Sequence, residues 1–231
     1  MFRKLLIILF LTGLYLSVNA QSAGINFTLG FPMGEFKENV DRLGYGISGH
    51  FTFWNAKPQL PFTFGLNVGY LNYGSESRRE PFNQNIPDVT IDVDRSNNLV
   101  NFHLLFQIMV PEGMFRPYAE FLFGGSYLFT ETSVNSQRNN EEIASTTNFD
   151  DFAWSYGAGG GFMIQVSEGD DENMGPVFID IKARYLLGTE ADYLKEGSVR
   201  IQDGRAIYDV SRSKTDLLTA HLGVVFFFNH L

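Results

Sequence analysis

The chain has no cysteine among its 231 residues. A disulfide framework and a thiolate metal site are therefore both excluded. Beyond the first residues, no stretch approaches the roughly 18 to 20 apolar residues that a membrane-spanning helix needs. Basic residues are in deficit, with 17 Lys and Arg against 26 Asp and Glu. That balance argues against nucleic acid or another polyanion as a partner held through phosphate contacts. Helix formers are not prominent, and no repeat of roughly 20 to 50 residues is visible. Abundant instead are 23 Phe, 10 Tyr and 23 Gly, a composition suited to strands punctuated by turns.

Length allows one large all-β barrel or two small domains. The opening residues resolve part of this. Met1 to Lys4 form a short basic head, Leu5 to Leu16 an apolar run, and Val18-Asn19-Ala20 place small residues before Gln21. This is the pattern of a secretory signal peptide over residues 1–20, leaving 21–231 as one domain.

From Gln21 onward, stretches with a period of two alternate with stretches rich in Gly, Asn, Asp, Ser and Pro. Eight such stretches run over 22–31, 44–54, 60–73, 98–110, 115–131, 151–166, 176–188 and 216–229. Each is near or above the roughly 9 to 11 residues of a tilted membrane-crossing strand. One side is almost wholly apolar, as in Ile25, Phe27, Leu29, Phe31 or Phe62, Phe64, Leu66, Val68, Tyr70. The other is small or polar, with Asn26, Thr28, Ser48, His50, Asn67, His103, Gln107, Glu120, Ser155, Asp180, Lys182, Arg184 and His221.

Alternation alone fits a soluble barrel with its apolar face inside, such as a lipocalin-like carrier, or a membrane barrel with that face toward lipid. Charge placement decides. A soluble barrel needs charges over its outer face, yet nearly all charge here lies between the strands or on the polar side. Connection lengths agree: "NAKPQ", "PEGM" and "SEGDDENMG" follow the second, fourth and sixth strands, whereas residues 74–97, 132–149 and 189–215 form long links after the third, fifth and seventh. Membrane barrels have short periplasmic turns and longer external loops. The expected fold is thus an all-β, eight-stranded, antiparallel up-and-down transmembrane β-barrel with outer-membrane lipid around it and both termini periplasmic. "VTIDVD" and "GRAIYDV" alternate too, as candidates to extend barrel strands beyond the membrane.

The chain ends in "AHLGVVFFFNHL", an apolar, β-prone segment that must be covered by lipid or protein. Its last strand must pair with the first to remove both edges. His221, Gly223, Phe226 and Phe228 follow the order polar, any, Gly, two of any, aromatic, any, aromatic, which resembles the C-terminal sorting signal of bacterial outer-membrane barrels. The whole chain after residue 20 resembles the small eight-stranded outer-membrane barrel family of OmpA and OmpX type. The resemblance implies an outer-membrane location and a barrel-insertion machinery that reads the last strand.

Several residues suggest chemistry. Gly157, Gly159, Gly160 and Gly161 lack dinucleotide spacing and an ensuing helix, so they are expected to make room inside a narrow barrel. His50, His103 and His221 share the inner face with Ser48 and Ser155, a conceivable hydrolase set, but they point away from lipid and no G-x-S-x-G motif is present. Asp170, Asp171 and Glu172 read as a solvated turn rather than a cation site. Glu120, Asp180, Lys182 and Arg184 are expected to form an interior charge network that fills the lumen, because eight strands enclose only side chains. Neither a catalytic residue, a cofactor nor a metal is assigned. Function then falls to the long loops, which carry Arg78, Arg79, Glu80, Tyr193, Lys195, Arg200, Arg205 and Tyr208 and would meet a protein partner. The expectation is a non-enzymatic scaffold for binding, adhesion or envelope assembly; the alternatives are a lipid A-modifying barrel enzyme or a narrow channel.

Overall fold

The computed structural model describes residues 21–83, 86–136, 142–169, 174–202 and 205–228. The expected signal peptide and the Asp170, Asp171, Glu172 run lie outside the described residues. The eight alternating stretches become eight strands: β1 (Ser22–Pro32), β2 (Gly44–Trp54), β3 (Phe62–Asn83), β4 (Ile86–Met109), β5 (Phe115–Ser136), β6 (Glu142–Ser167), β7 (Met174–Gly188) and β12 (Leu217–Phe228). They close in the order β1-β12-β7-β6-β5-β4-β3-β2, every pair antiparallel. Closure leaves no free edge along the membrane-crossing length.

Polar and apolar residues sort as the period of two requires. Ile25, Phe27, Ile47, Phe121, Phe123, Trp154 and Leu222 are more than half exposed on the outer wall. Their chain neighbours Asn26, Thr28, Ser48, Glu120, Ser155 and His221 are buried in the lumen. The outer wall of the eight strands carries no charge from Phe62 to Tyr70, from Val100 to Ile108, or from Val177 to Leu187. A surface this apolar is stable only against lipid, and the barrel is a membrane-spanning one. Tyr45, Tyr70, Trp154 and Tyr156 lie toward one end of this wall and Trp54 toward the other, as amphipathic rings do at the two water interfaces.

The termini and the short turns share one end of the barrel. At the opposite end β3 to β6 run well past residues 73, 98, 131 and 151, where alternation was expected to stop. β3 stays paired to β4 as far as Asn83 and Ile86, with register shifts at Asn72/Gly74 and Pro81/Asn83. "VTIDVD" lies within β4. "GRAIYDV" does not extend the barrel: β9 (Val199–Gln202) and β10 (Arg205–Tyr208) form a separate two-stranded sheet, as do β8 (Glu190–Tyr193) and β11 (Ser211–Lys214). The segment between β7 and β12 pairs with itself, β8 to β11 and β9 to β10, and its start is tied to the wall where Thr189 N donates to the Trp154 carbonyl of β6 at 2.9 Å.

A short helix, α1 (Gly34–Asn39), follows β1. At six residues it is too short to persist alone. Gly34, at φ 52, turns the chain into it, and the fully buried Phe36 holds it down by packing edge-on against Tyr73 and Tyr193 at 5.7 and 5.1 Å. Burial of such a ring contributes about 1.5–3 kcal/mol.

Candidate functional site

The lumen is filled in three layers. Nearest the termini, Met109, Tyr118, Met163, Phe178, Val225 and Phe227 pack as an apolar plug. This accounts for the consecutive phenylalanines: Phe226 and Phe228 sit on the outer wall, whereas Phe227 turns inward to meet Phe178 at 5.3 Å. The Arg116 guanidinium covers both rings, 4.4 Å from Phe178 and 5.3 Å from Phe227. His221 lies on the inner face of this strand and Gly223 pairs with Asn26 of β1.

The middle layer brings together Glu120, Asp180, Lys182 and Arg184, all essentially without solvent contact. Arg184 grips Glu120 with two bonds, Nε to Oε1 at 2.6 Å and Nη2 to Oε2 at 3.1 Å. Lys182 donates to Asp180 of its own strand at 2.7 Å. Three residues outside the charged set complete the satisfaction of these groups: Asn67 accepts from Arg184 Nη1 at 2.9 Å, Gln107 donates to Glu120 at 3.1 Å and the Tyr118 hydroxyl donates to Asp180 at 2.6 Å. Asn67 and Gln107 are readable as inner-face polar positions; Tyr118 is legible only by noticing that it shares parity with Glu120. The network carries two negative and two positive charges, so it is neutral, the condition under which buried ions are tolerated.

The glycines of β6 let the β7 backbone approach closely. A Cβ at Gly159 would lie 2.5 Å from the Ala183 carbonyl oxygen and 2.8 Å from Arg184 Cγ, and one at Gly161 would lie closer still to the Ile181 carbonyl oxygen and 2.6 Å from Lys182 Cβ.

The three histidines enter the same layer. His221 shares Nδ1 with Thr28 at 2.9 Å and Ser48 at 3.2 Å, and its Nε2 meets Thr219 at 2.8 Å. His103 Nε2 meets Ser155 at 3.1 Å. The other nitrogen of His103 has no partner, so no carboxylate orients either imidazole as nucleophilic catalysis requires. The cavity beside them offers about 20 Å³, room for about one water molecule and none for an acyl chain. Among the described residues no group of three or more His, Asp or Glu is placed to hold a metal.

The third layer closes the opposite end. Leu71, Tyr73, Leu99, Leu128, Leu186 and Leu217 pack beneath Phe36 and Tyr193. Tyr193 bonds Ser213 at 2.7 Å and Tyr73 donates to the Leu194 carbonyl at 3.4 Å. Burial pushes both phenols up. Above this lid stands a crown made by the long ends of β3 to β6 and by the segment from Thr189 to Thr215. The two parts are tied where Gly197 N donates to Glu76 at 3.3 Å, and Arg42 reaches Glu196 at 2.9 Å. Glu76 also pairs with Arg78 and, at 3.6 Å, with Arg95. Two hollows open in the crown, of about 360 Å³ along β3 to β6 and about 290 Å³ under the turn at Lys195 and Glu196. Tyr193, Lys195 and Arg78 thus belong to one assembly, while Tyr208 lies exposed on the outer hairpin.

The molecule is therefore a closed eight-stranded membrane barrel of outer-membrane architecture, sealed inside and elaborated at one end. No protein-family profile matches the chain, and no curated protein does. Solved structures of similar type include Neisserial surface protein A, 9% identical over 89% of this chain and 95% of that one, TM-score 0.38. Others are Ail, the attachment invasion locus protein of Yersinia pestis, with the heparin analogue sucrose octasulfate (14%, 90% and 96%, 0.31), and the N-terminal β-barrel domain of Pseudomonas aeruginosa OprF (14%, 89% and 96%, 0.32). These values are low, and the fold rests on the closed strand order of the chain itself.

Proposed function

We propose that the protein is a non-enzymatic outer-membrane scaffold that uses its sealed barrel as an anchor and its crown as a binding surface. In this reading both termini lie in the periplasm, the crown lies outside the cell, and the last strand delivers the chain to the barrel-insertion machinery. The observation that carries it is the contrast between the two halves: the lumen is filled at three levels, while the built hollows lie in the crown. Enclosed histidines that cannot reach lipid weigh against a lipid A-modifying enzyme, and a neutral set of four mutually paired charges across the lumen weighs against a channel.

Two measurements test this. In planar bilayers the purified barrel should show no steady conductance; large, stable, ion-selective openings would refute the scaffold. On intact cells, cysteines at Ser77 and Gly197 should react with an impermeant reagent and one at Lys57 should stay silent. The reverse pattern would invert the topology.

A further inference from the structure

We infer that the exported chain begins at Gln21 and that this residue closes on itself to pyroglutamate, a lactam that secures the seam of the barrel. The inference goes beyond the scaffold reading, and its first step is the cut between Ala20 and Gln21 that the small residues Val18 and Ala20 invite. The first residues of a domain are usually loose unless tied down. Gln21 is tied down. Its N–H donates to the Thr52 carbonyl at 2.8 Å, its carbonyl accepts from Phe228 N at 3.0 Å and from Asn55 Nδ2 at 2.8 Å, and its side-chain Oε1 accepts from Asn55 N at 2.6 Å. Asn55 is braced in turn by the Thr52 hydroxyl, which donates to its Oδ1 at 2.9 Å. One residue thereby joins the ends of β2 and β12, the two neighbours of β1 in the closed wall.

An N-terminal glutamine cyclises when its α-amine attacks its own side-chain amide carbon. The N–Cδ bond forms, the Cδ–Nε2 bond breaks, and ammonia leaves with the proton that the amine gives up, so no co-reactant is needed. Three features of the site favour this step. Amine and amide are held in one residue whose main chain is fixed on both sides, which lowers the entropy cost of closure. The Asn55 N–H points at Oε1, the oxygen on which negative charge builds as the amine adds. Among the described residues nothing holds the side-chain NH2, the group that departs.

The product suits the site as well as the reaction does. A five-membered lactam presents its N–H and C=O side by side on one edge. The two groups that would meet that edge, the Thr52 carbonyl and the Asn55 N–H, lie three residues apart at the end of β2. Donor and acceptor are therefore both kept. What changes is charge: a terminal ammonium would bring three protons and a positive charge to this half-buried position, whereas the lactam brings one proton and none. The ring also fixes φ at residue 21, which removes freedom from the unfolded chain.

The test weighs the protein as the cell makes it. Outer membranes from cells producing the full chain are treated with a reagent that methylates free amines, before any digestion, and the N-terminal peptide is identified by mass. It should begin at residue 21, carry no methyl tag and be lighter than the uncyclised peptide by one ammonia; Gln21→Glu, which has no amide to lose, should carry the tag. A tagged Gln21, or a first residue other than 21, would overturn the inference. The role of the fold is read separately, on a chain freed by a specific protease immediately before Gln21. Folded in vesicles, it should lose ammonia at least about tenfold faster than the same chain held in guanidinium at the same pH and temperature, and equal or slower loss would overturn the part assigned to Asn55. Conductance and surface labelling report on the scaffold reading, so the two can fail separately.

Discussion

Glu120→Gln should cost the folded barrel about 3 kcal/mol, the lower part of the roughly 3–5 kcal/mol seen when one partner of a buried ion pair is removed. The estimate follows from what the substitution leaves behind. Glu120 receives two bonds from Arg184, at 2.6 and 3.1 Å, and one from Gln107 at 3.1 Å. Glutamine keeps the volume and one acceptor oxygen but strands the guanidinium charge in a lumen with no solvent contact. Arg184→Met should cost about the same or more, because it strands the Glu120 carboxylate instead. Glu120→Gln with Arg184→Met removes both charges, and what remains is chiefly the Asn67 carbonyl deprived of its donor, a loss of about 1–3 kcal/mol. The double variant should therefore be more stable than the sum of the singles by about 2 kcal/mol or more. Guanidinium unfolding in phospholipid vesicles, read by the fluorescence of Trp54 and Trp154, gives all four corners of the cycle. Additivity within about 0.5 kcal/mol would mean that the two groups do not share a pair.

Two further outcomes follow from the layers above and below. Phe36→Ala should loosen the lid at a cost of about 3–5 kcal/mol, making the segment from Thr189 to Thr215 sensitive to protease while the barrel below keeps its resistance to heat and detergent; a barrel that melts as a whole would show that lid and wall are one cooperative unit. At the other end, Phe227→Ala removes the inward ring that Phe178 and Arg116 hold, and should lower stability by about 3 kcal/mol or more, whereas Phe226→Ala with Phe228→Ala should lower the yield of assembled barrel in cells with little effect on the purified protein. The opposite assignment of the two effects would show that inner and outer roles have been exchanged.

Much of the wall was legible because its chemistry has a period of two. From Phe62 to Tyr70 every second residue faces lipid, and the same holds from Val100 to Ile108 in β4, from Val177 to Leu187 in β7 and from Leu218 to Phe228 in β12. The pattern fails where the environment stops being two-sided. Past Asn72 the register shifts by a residue, and "GSESRREPFN", with a single apolar side chain besides its proline, carries no alternation to read although it is strand to Asn83. Inner apolar layers hide for the converse reason. Val225 and Phe227 face inward between lipid-facing Val224, Phe226 and Phe228, and the run becomes continuous. The helix at Gly34 is a single fragment whose reason to exist, Phe36 between Tyr73 and Tyr193, lies in residues far apart in sequence. In the middle layer the charged members were visible as inner-face residues, but the identity of each partner depends on the depth of one strand against another, which no local pattern contains.

Arg184 belongs to β7 and the amide it holds, Asn67, to β3. In the closed order these strands are four places apart whichever way the circumference is followed, so the contact runs across a diameter. It works as a tie-rod inside a hoop. Lateral pressure from a crowded bilayer that would flatten the tube must either stretch this link or drive its ends together, and the packed layers above and below oppose the second. A round cross-section is thereby maintained beneath the crown, and the spacing of the four tall strands that frame its hollows is insulated from the lateral stresses of the membrane around them.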